Sequence, residues 1–126
     1  VLHSKSMKLY LGGDSGYDTH FSEIGAKYGP FDLVILENGQ YNKMWPYIHL
    51  TPDQVLLAAE NLKAKRLMPV HSSKFTLSNH PWDEPLKRLS ELNETSNFTL
   101  VTPIIGGKVD LDDKEQKFEE WWMNIQ

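Results

Sequence analysis

Two apolar runs in this sequence each end in a side chain that can bind a metal ion. The first, residues 7–11, is followed by a Gly-Gly-Asp-Ser-Gly turn that contains Asp14, and the second, residues 68–70, ends at His71. Open α/β sheets place their chemistry just beyond the carboxyl ends of such strands. We therefore expect Asp14 and His71 to meet at the carboxyl edge of a sheet.

Apolar runs and amphipathic stretches alternate along the chain, which indicates an α/β layer fold with right-handed crossovers. Predicted strands cover residues 7–12, 31–36, 66–70 and 98–101, with a hairpin partner at Val1-Leu2 and a short edge strand at 108–111. The first predicted helix covers residues 19–28. Three further helices are predicted to begin at Thr51, with a capping box, at Pro81 and near Asp113. The last helix is expected to present an aromatic stripe formed by Phe118, Trp121, Trp122 and Ile125.

Length and composition indicate one domain over residues 1–126 and exclude some classes of partner. A net charge of -4 disfavours nucleic acid, because no basic surface is available to neutralise phosphates. No apolar stretch approaches the roughly 20 residues of a membrane span. Without cysteine, any metal must be held by His, Asp or Glu, which fits a cytoplasmic protein. The start at Val1-Leu2 suggests a C-terminal fragment of a longer protein.

Each candidate site residue also has a structural interpretation. Asp14 could serve only as an Asx-turn residue, and His71 could be a buried, hydrogen-bonded histidine. His49, in an aromatic loop, could simply be exposed, or it could orient substrate, donate to an oxyanion or shuttle a proton. For His80 a structural role is favoured over catalysis. Glu37 could act as an outer partner that orients a metal ligand, or as a cap.

Several motifs in a fixed order carry a resemblance to a known family. They are Gly-Gly-Asp14-Ser-Gly-Tyr, Asn-Gly39-Gln-Tyr41 leading to His49 and Pro52, and Pro69-Val-His71-Ser-Ser-Lys-Phe75 followed by His80-Pro-Trp82-Asp-Glu84-Pro. From about Leu9 to Leu111 the chain resembles the metallo-β-lactamase fold. It looks like the C-terminal half of the branch that includes N-acyl-phosphatidylethanolamine phospholipase D and related bacterial metal-dependent hydrolases.

This resemblance implies an α/β chain that forms the C-terminal βαβ half of a metallo-β-lactamase αββα sandwich. It implies that Asp14 bridges two metals, that His71 is the terminal ligand of the second metal, and that His49 is a catalytic histidine that binds neither. The family's His-x-His-x-Asp-His cluster is absent from this sequence, so most of the ligands are missing. The stretch Glu37-Asn38-Gly39-Gln40 also departs from the more apolar, Pro-containing stretch that relatives often carry.

Two hypotheses follow for the function. In the first, the intact parent is a dinuclear zinc hydrolase, with manganese or iron as alternatives, that cleaves a small-molecule or lipid-like ester, amide or phosphodiester. The isolated chain is then expected to be inactive. In the second, the chain is a non-catalytic binding or self-assembly module, which uses the Val1-Leu2 edge and the Trp121-Trp122 segment. A homodimer, a swapped assembly or a missing N-terminal half is expected to cover the apolar faces.

Overall fold

A computed structural model describes residues 1–125, which form a five-stranded sheet with three helices. The strands are β1 (Leu2–His3), β2 (Lys8–Leu11), β3 (Leu33–Glu37), β4 (Arg66–Val70) and β5 (Thr99–Leu100), and they lie side by side in chain order. β1 pairs with β2 in an antiparallel hairpin, as predicted, and the remaining neighbours are parallel. Four parallel strands therefore bring their carboxyl ends to one edge.

The helices α1 (His20–Tyr28), α2 (Pro52–Asn61) and α3 (Glu84–Ser96) connect consecutive parallel strands. α1 contacts α2, and α2 contacts α3, so the three helices form one layer against the sheet. Tyr10, Val34 and Leu67 stand in register across β2, β3 and β4, and all three are buried in the core under this layer. One sheet and one helical layer agree with the predicted α/β class.

The predicted start of α2 is confirmed. Thr51 has an extended backbone, Pro52 occupies the first turn, and the N–H of Thr51 donates to Oε1 of Gln54 over 3.1 Å. This pairing gives an otherwise free helix-end N–H a partner. Val55 and Ala59 are fully buried in the core, so the apolar stripe of α2 faces the sheet. By contrast, α3 begins at Glu84 rather than at Pro81.

The predictions for the C-terminal segment are wrong. Over residues 108–125, neither the helix from Asp113 nor the edge strand at 108–111 forms, and the only regular element is a 3-10 turn at Trp121–Asn124. Aspartate side chains accept local backbone N–H groups, from Asp112 to Asp110 and from Glu115 to Asp113, and such contacts compete with helix hydrogen bonds. Of the predicted aromatic stripe only Trp122 is buried.

A long-range contact holds this irregular segment in place. The guanidinium of the buried Arg66 on β4 donates to the carbonyl oxygens of Leu111 (2.9 Å) and Asp113 (3.3 Å). The carbonyl groups that a strand ladder would have used therefore pair with a side chain instead. Within residues 1–125, none of the helices is long and apolar enough to cross a membrane.

Candidate metal centre

Three side chains predicted as site residues converge at the carboxyl edge of the sheet. Asp14 follows β2, His71 follows β4, and His49 lies in the loop between β3 and α2. Nε2 of His71 is 3.8 Å from Oδ1 of Asp14, and the rings of His49 and His71 have centroids 5.2 Å apart. One potential ligand atom from each residue lies within 4.8 Å of the other two. The parallel topology thus brings together residues that are far apart in sequence.

Two glycines allow the loops around this cluster to approach closely. A Cβ on Gly16 would lie 2.2 Å from the carbonyl oxygen of Tyr47, in the loop that carries His49. A Cβ on Gly39 would lie 2.6 Å from the carbonyl oxygen of His71. His71 itself has a φ of 68°, in the left-handed region that disfavours residues with a side chain. The backbone is therefore shaped so that the three loops meet.

The cluster has the donor chemistry of a partial metal site. The side chains of Asp14 and His71 are 59% and 34% exposed, while that of His49 is 13% exposed. Carboxylate oxygen and imidazole nitrogen suit zinc, manganese or iron. A closed zinc site takes four protein ligands and a catalytic one three per ion, so these donors fit a metal ion but do not fill a dinuclear centre.

Glu37, the last residue of β3, lies directly beneath the cluster. Its side chain is 2% exposed, and its Oε2 is 2.9 Å from Nδ1 of His49. Its Oε1 accepts the N–H groups of Leu50 (2.9 Å) and Ser15 (3.4 Å). Burial raises the pKa of the Glu37 carboxyl to about 7, although these two N–H donors oppose the rise. Glu37 thus contacts His49 rather than Asp14 or His71, and its role as an outer partner of the metal ligands stays a prediction.

Gln40 was missed by the sequence reasoning as a site residue, and it ties the loop after β3 to the loop after β4. It is buried, and its backbone has a φ of 60°. Its Oε1 accepts the N–H groups of Leu77 (2.7 Å) and Ser78 (3.2 Å), and its Nε2 donates to the carbonyl oxygen of Phe75 (3.1 Å). The same Nε2 lies 3.5 Å from the carbonyl oxygen of His71. No local sequence pattern signals such a contact, because its partners lie more than thirty residues away.

The remaining histidines lie outside the cluster. Nε2 of His80 accepts the backbone N–H of Gln40 over 2.9 Å, and its ring stacks on Tyr41, so its contacts agree with the structural role favoured from the sequence. Nε2 of His20 is 3.3 Å from Oγ of Ser15, and His3 lies in β1 at the sheet edge. Of the five histidines, only His49 and His71 have a ring nitrogen in the cluster with Asp14.

The chain is similar in sequence to several known proteins. The family model of the beta-lactamase superfamily domain matches residues 1–72. An uncharacterized protein of Mycobacterium tuberculosis is 39% identical over 118 residues, which cover 91% of this chain and 32% of that protein. The mitochondrial N-acyl-phosphatidylethanolamine-hydrolyzing phospholipase D of Saccharomyces cerevisiae is 32% identical over 102 residues, 78% of this chain and 22% of that enzyme.

A solved structure supports the fold. The chain aligns with a metallo hydrolase from the hyperthermophilic archaeon Ignicoccus hospitalis with a TM-score of 0.57 and 20% identity, over 80% of this chain and 39% of that one. The chain thus spans about a third of the length of the mycobacterial relative and less of the yeast enzyme. The chain belongs to the beta-lactamase superfamily, has the metallo-β-lactamase fold, and is similar to the N-acyl-phosphatidylethanolamine phospholipase D branch of its hydrolases.

Proposed function

We propose that this chain supplies part of the active site of a metal-dependent hydrolase that cleaves an ester, amide or phosphodiester. The observation that carries the proposal is the convergence of Asp14, His49 and His71, from three separate loops, to within 4.8 Å of one another. Ordinary packing does not require a carboxylate and two imidazoles to share one partly exposed edge. Similarity to a yeast enzyme named for hydrolysis of a phospholipid supports hydrolysis as the reaction.

The three residues have different proposed roles. Asp14 and His71 are the metal ligands, because they are the more exposed donors and their nearest ligand atoms are 3.8 Å apart. A bound metal, zinc in the first instance and manganese or iron otherwise, would supply positive charge that polarises the scissile group. His49 is the catalytic base or acid, since its Nδ1 is held by Glu37 and only Nε2 is left to exchange a proton.

The proposal also covers metal ligands that do not occur in this sequence. A dinuclear centre needs ligands beyond Asp14 and His71, and the His-x-His-x-Asp-His pattern does not occur in the sequence. We therefore expect the isolated chain to bind zinc weakly and to show negligible turnover, because an incomplete ligand set leaves the site open. The name of the yeast relative makes a lipid-like phosphodiester one candidate substrate, and a small-molecule ester or amide is kept as the alternative. The predicted cytoplasmic location remains part of this proposal.

The test is a calorimetric zinc titration of the full chain and of variants Asp14→Ala and His71→Ala. Glu60→Ala and His3→Ala serve as controls, because they remove an acid and an imidazole at exposed positions outside the cluster. We expect zinc binding to be lost in the first two variants and unchanged in the controls. Unchanged zinc binding in Asp14→Ala and His71→Ala would refute the ligand assignment.

Self-assembly is the second candidate function, and exposed apolar side chains favour it. Val1 and Leu2 at the β1 edge are each more than half exposed, and Leu11 on β2 is nearly so. An apolar sheet edge of this kind can pair with a second copy of the chain. Light scattering over a concentration series distinguishes the two candidates: a stable dimer in which Asp14→Ala changes neither mass nor zinc content favours the assembly module.

A further inference from the structure

We propose that Glu37 is a positioning residue, which fixes the tautomer of His49 and joins the His49 loop to the Asp14 loop. The proposal rests on the proposed function, in which His49 is the group that moves a proton. It adds a residue to which the family resemblance assigns no role.

The first step is the position of Glu37 in the fold. It is the last residue of β3, between β2 and β4, and its side chain is almost fully buried. Leu50 is the neighbour of His49 in the chain, and Ser15 is the neighbour of Asp14. Because Oε1 of Glu37 accepts the N–H groups of both neighbours, one carboxylate ties together two of the three loops that form the cluster.

The second step is the proton between Glu37 and His49. Oε1 of Glu37 faces two N–H donors, so it acts as an acceptor, and an ionised carboxylate accepts at Oε2 as well. Nδ1 of His49, 2.9 Å from Oε2, must then carry the proton of the neutral imidazole. Nε2 is left with a free lone pair. By elimination, it is the ring nitrogen that is available to groups near Asp14 and His71.

A conservative substitution separates this role from simple packing. In Glu37→Gln the side-chain oxygen can still accept the N–H groups of Leu50 and Ser15, so the loops stay joined. The amide nitrogen that replaces Oε2 can only donate, and Nδ1 of His49 must then accept. The variant therefore preserves the shape of the site and transfers the imidazole proton from Nδ1 to Nε2.

The experiment is an NMR measurement of the histidine ring nitrogens in the full chain, at a pH well above the pKa of about 7 of Glu37. His49→Ala assigns the His49 signals by their loss, and Glu60→Gln is the control for removal of one carboxylate elsewhere. We expect the proton on Nδ1 of His49 in the wild type and in Glu60→Gln, and on Nε2 in Glu37→Gln.

Two results would overturn the proposal. One is a wild-type His49 that carries its proton on Nε2, which can be read even if Glu37→Gln does not fold. The other is a folded Glu37→Gln with the wild-type tautomer. The zinc titration keeps the two proposals distinguishable, since a chain that shows the expected tautomers but binds no zinc supports the positioning role and contradicts the metal ligand assignment.

Discussion

The candidate site has an exposed side and a buried side, and the two are built differently. On the exposed side, Asp14 and His71 lie in loops that follow strand ends, and their side chains are 59% and 34% exposed. On the buried side, Glu37, Asn38 and Gln40 follow one another at the end of β3 and are almost fully enclosed. Substitutions of the exposed donors should therefore have little effect on the stability of the fold. Substitutions of the buried polar residues beneath them should destabilise it.

The buried side acts as a junction between loops. Glu37 contacts the loop before α2, and the N–H of Asn38 donates to the carbonyl oxygen of Val70 on β4 over 2.8 Å. The side-chain amide of Asn38 donates to the carbonyl oxygen of Pro85 in α3 over 2.9 Å. Gln40 holds residues 75–78. Three residues close together at the end of β3 thus hold separate loops around the donors.

Removal of the Gln40 side chain should have the largest effect on stability. Gln40→Ala removes the partner of three part-buried groups, the N–H of Leu77, the N–H of Ser78 and the C=O of Phe75, and each loss costs about 1–1.5 kcal/mol. We expect the free energy of unfolding in urea to fall by about 4 kcal/mol. The control is Gln116→Ala, because Gln116 also makes two hydrogen bonds but at the surface. Equal losses in the two variants would contradict the comparison.

The carboxyl of Glu37 should make stability depend on pH. The folded chain keeps this proton up to a pH of about 7, whereas the unfolded chain releases it near the ordinary value of 4.5. Between these values the folded state binds more protons, so the free energy of unfolding falls as pH rises, by up to about 3 kcal/mol. Glu37→Gln cannot titrate, and the wild-type-minus-variant difference in urea unfolding should decline across this window. A difference independent of pH would refute the expectation.

The contact between the exposed loops should have a smaller effect. In Gly16→Ala the new Cβ meets the carbonyl oxygen of Tyr47, so the Asp14 loop must move away from the His49 loop. We expect a loss of about 2 kcal/mol in thermal or urea unfolding, together with weaker zinc binding. Gly106→Ala is the control, because its Cβ meets no atom within 4 Å and only its left-handed φ is strained. Normal zinc binding in Gly16→Ala would show that the loops need not touch.

The smallest expected effect lies on the exposed side, at the strained backbone of His71. Because its φ of 68° suits glycine better than alanine, His71→Gly should be more stable to urea than His71→Ala by about 1 kcal/mol. Both variants should lose zinc binding to the same extent. Identical unfolding free energies would mean that the loop relaxes out of this conformation once the imidazole is gone.

Local sequence signals predict the elements near the site well. The bounds of β4 match the predicted residues 66–70, and the capping residues from Thr51 to Gln54 place the start of α2. The strand-end rule brings Asp14 and His71 together, because parallel strands share a carboxyl edge. Their roles as ligands, and that of His49 in catalysis, stay predictions.

Other parts of the molecule depend on contacts that no local pattern encodes. The irregular segment after β5 is held by Arg66, more than forty residues away, which pairs with its carbonyl groups. The contacts of Gln40 are also long-range, since its partners lie in the loop after β4. The contact between Glu37 and His49 depends on β3 ending at residue 37, one residue beyond the predicted strand. Long-range hydrogen bonds, rather than periodicity, decide these features.

The chain-order arrangement of the sheet has a consequence for how the polypeptide matures as it leaves the ribosome. Each new strand docks beside the one made just before it, so the sheet grows in one direction without waiting for a distant segment. Asp14 emerges first, then Glu37, then His49, then His71. The amide of Gln40 emerges before residues 75–78 and must remain hydrated until they follow, so closure of that loop is the last event in assembly of the candidate centre.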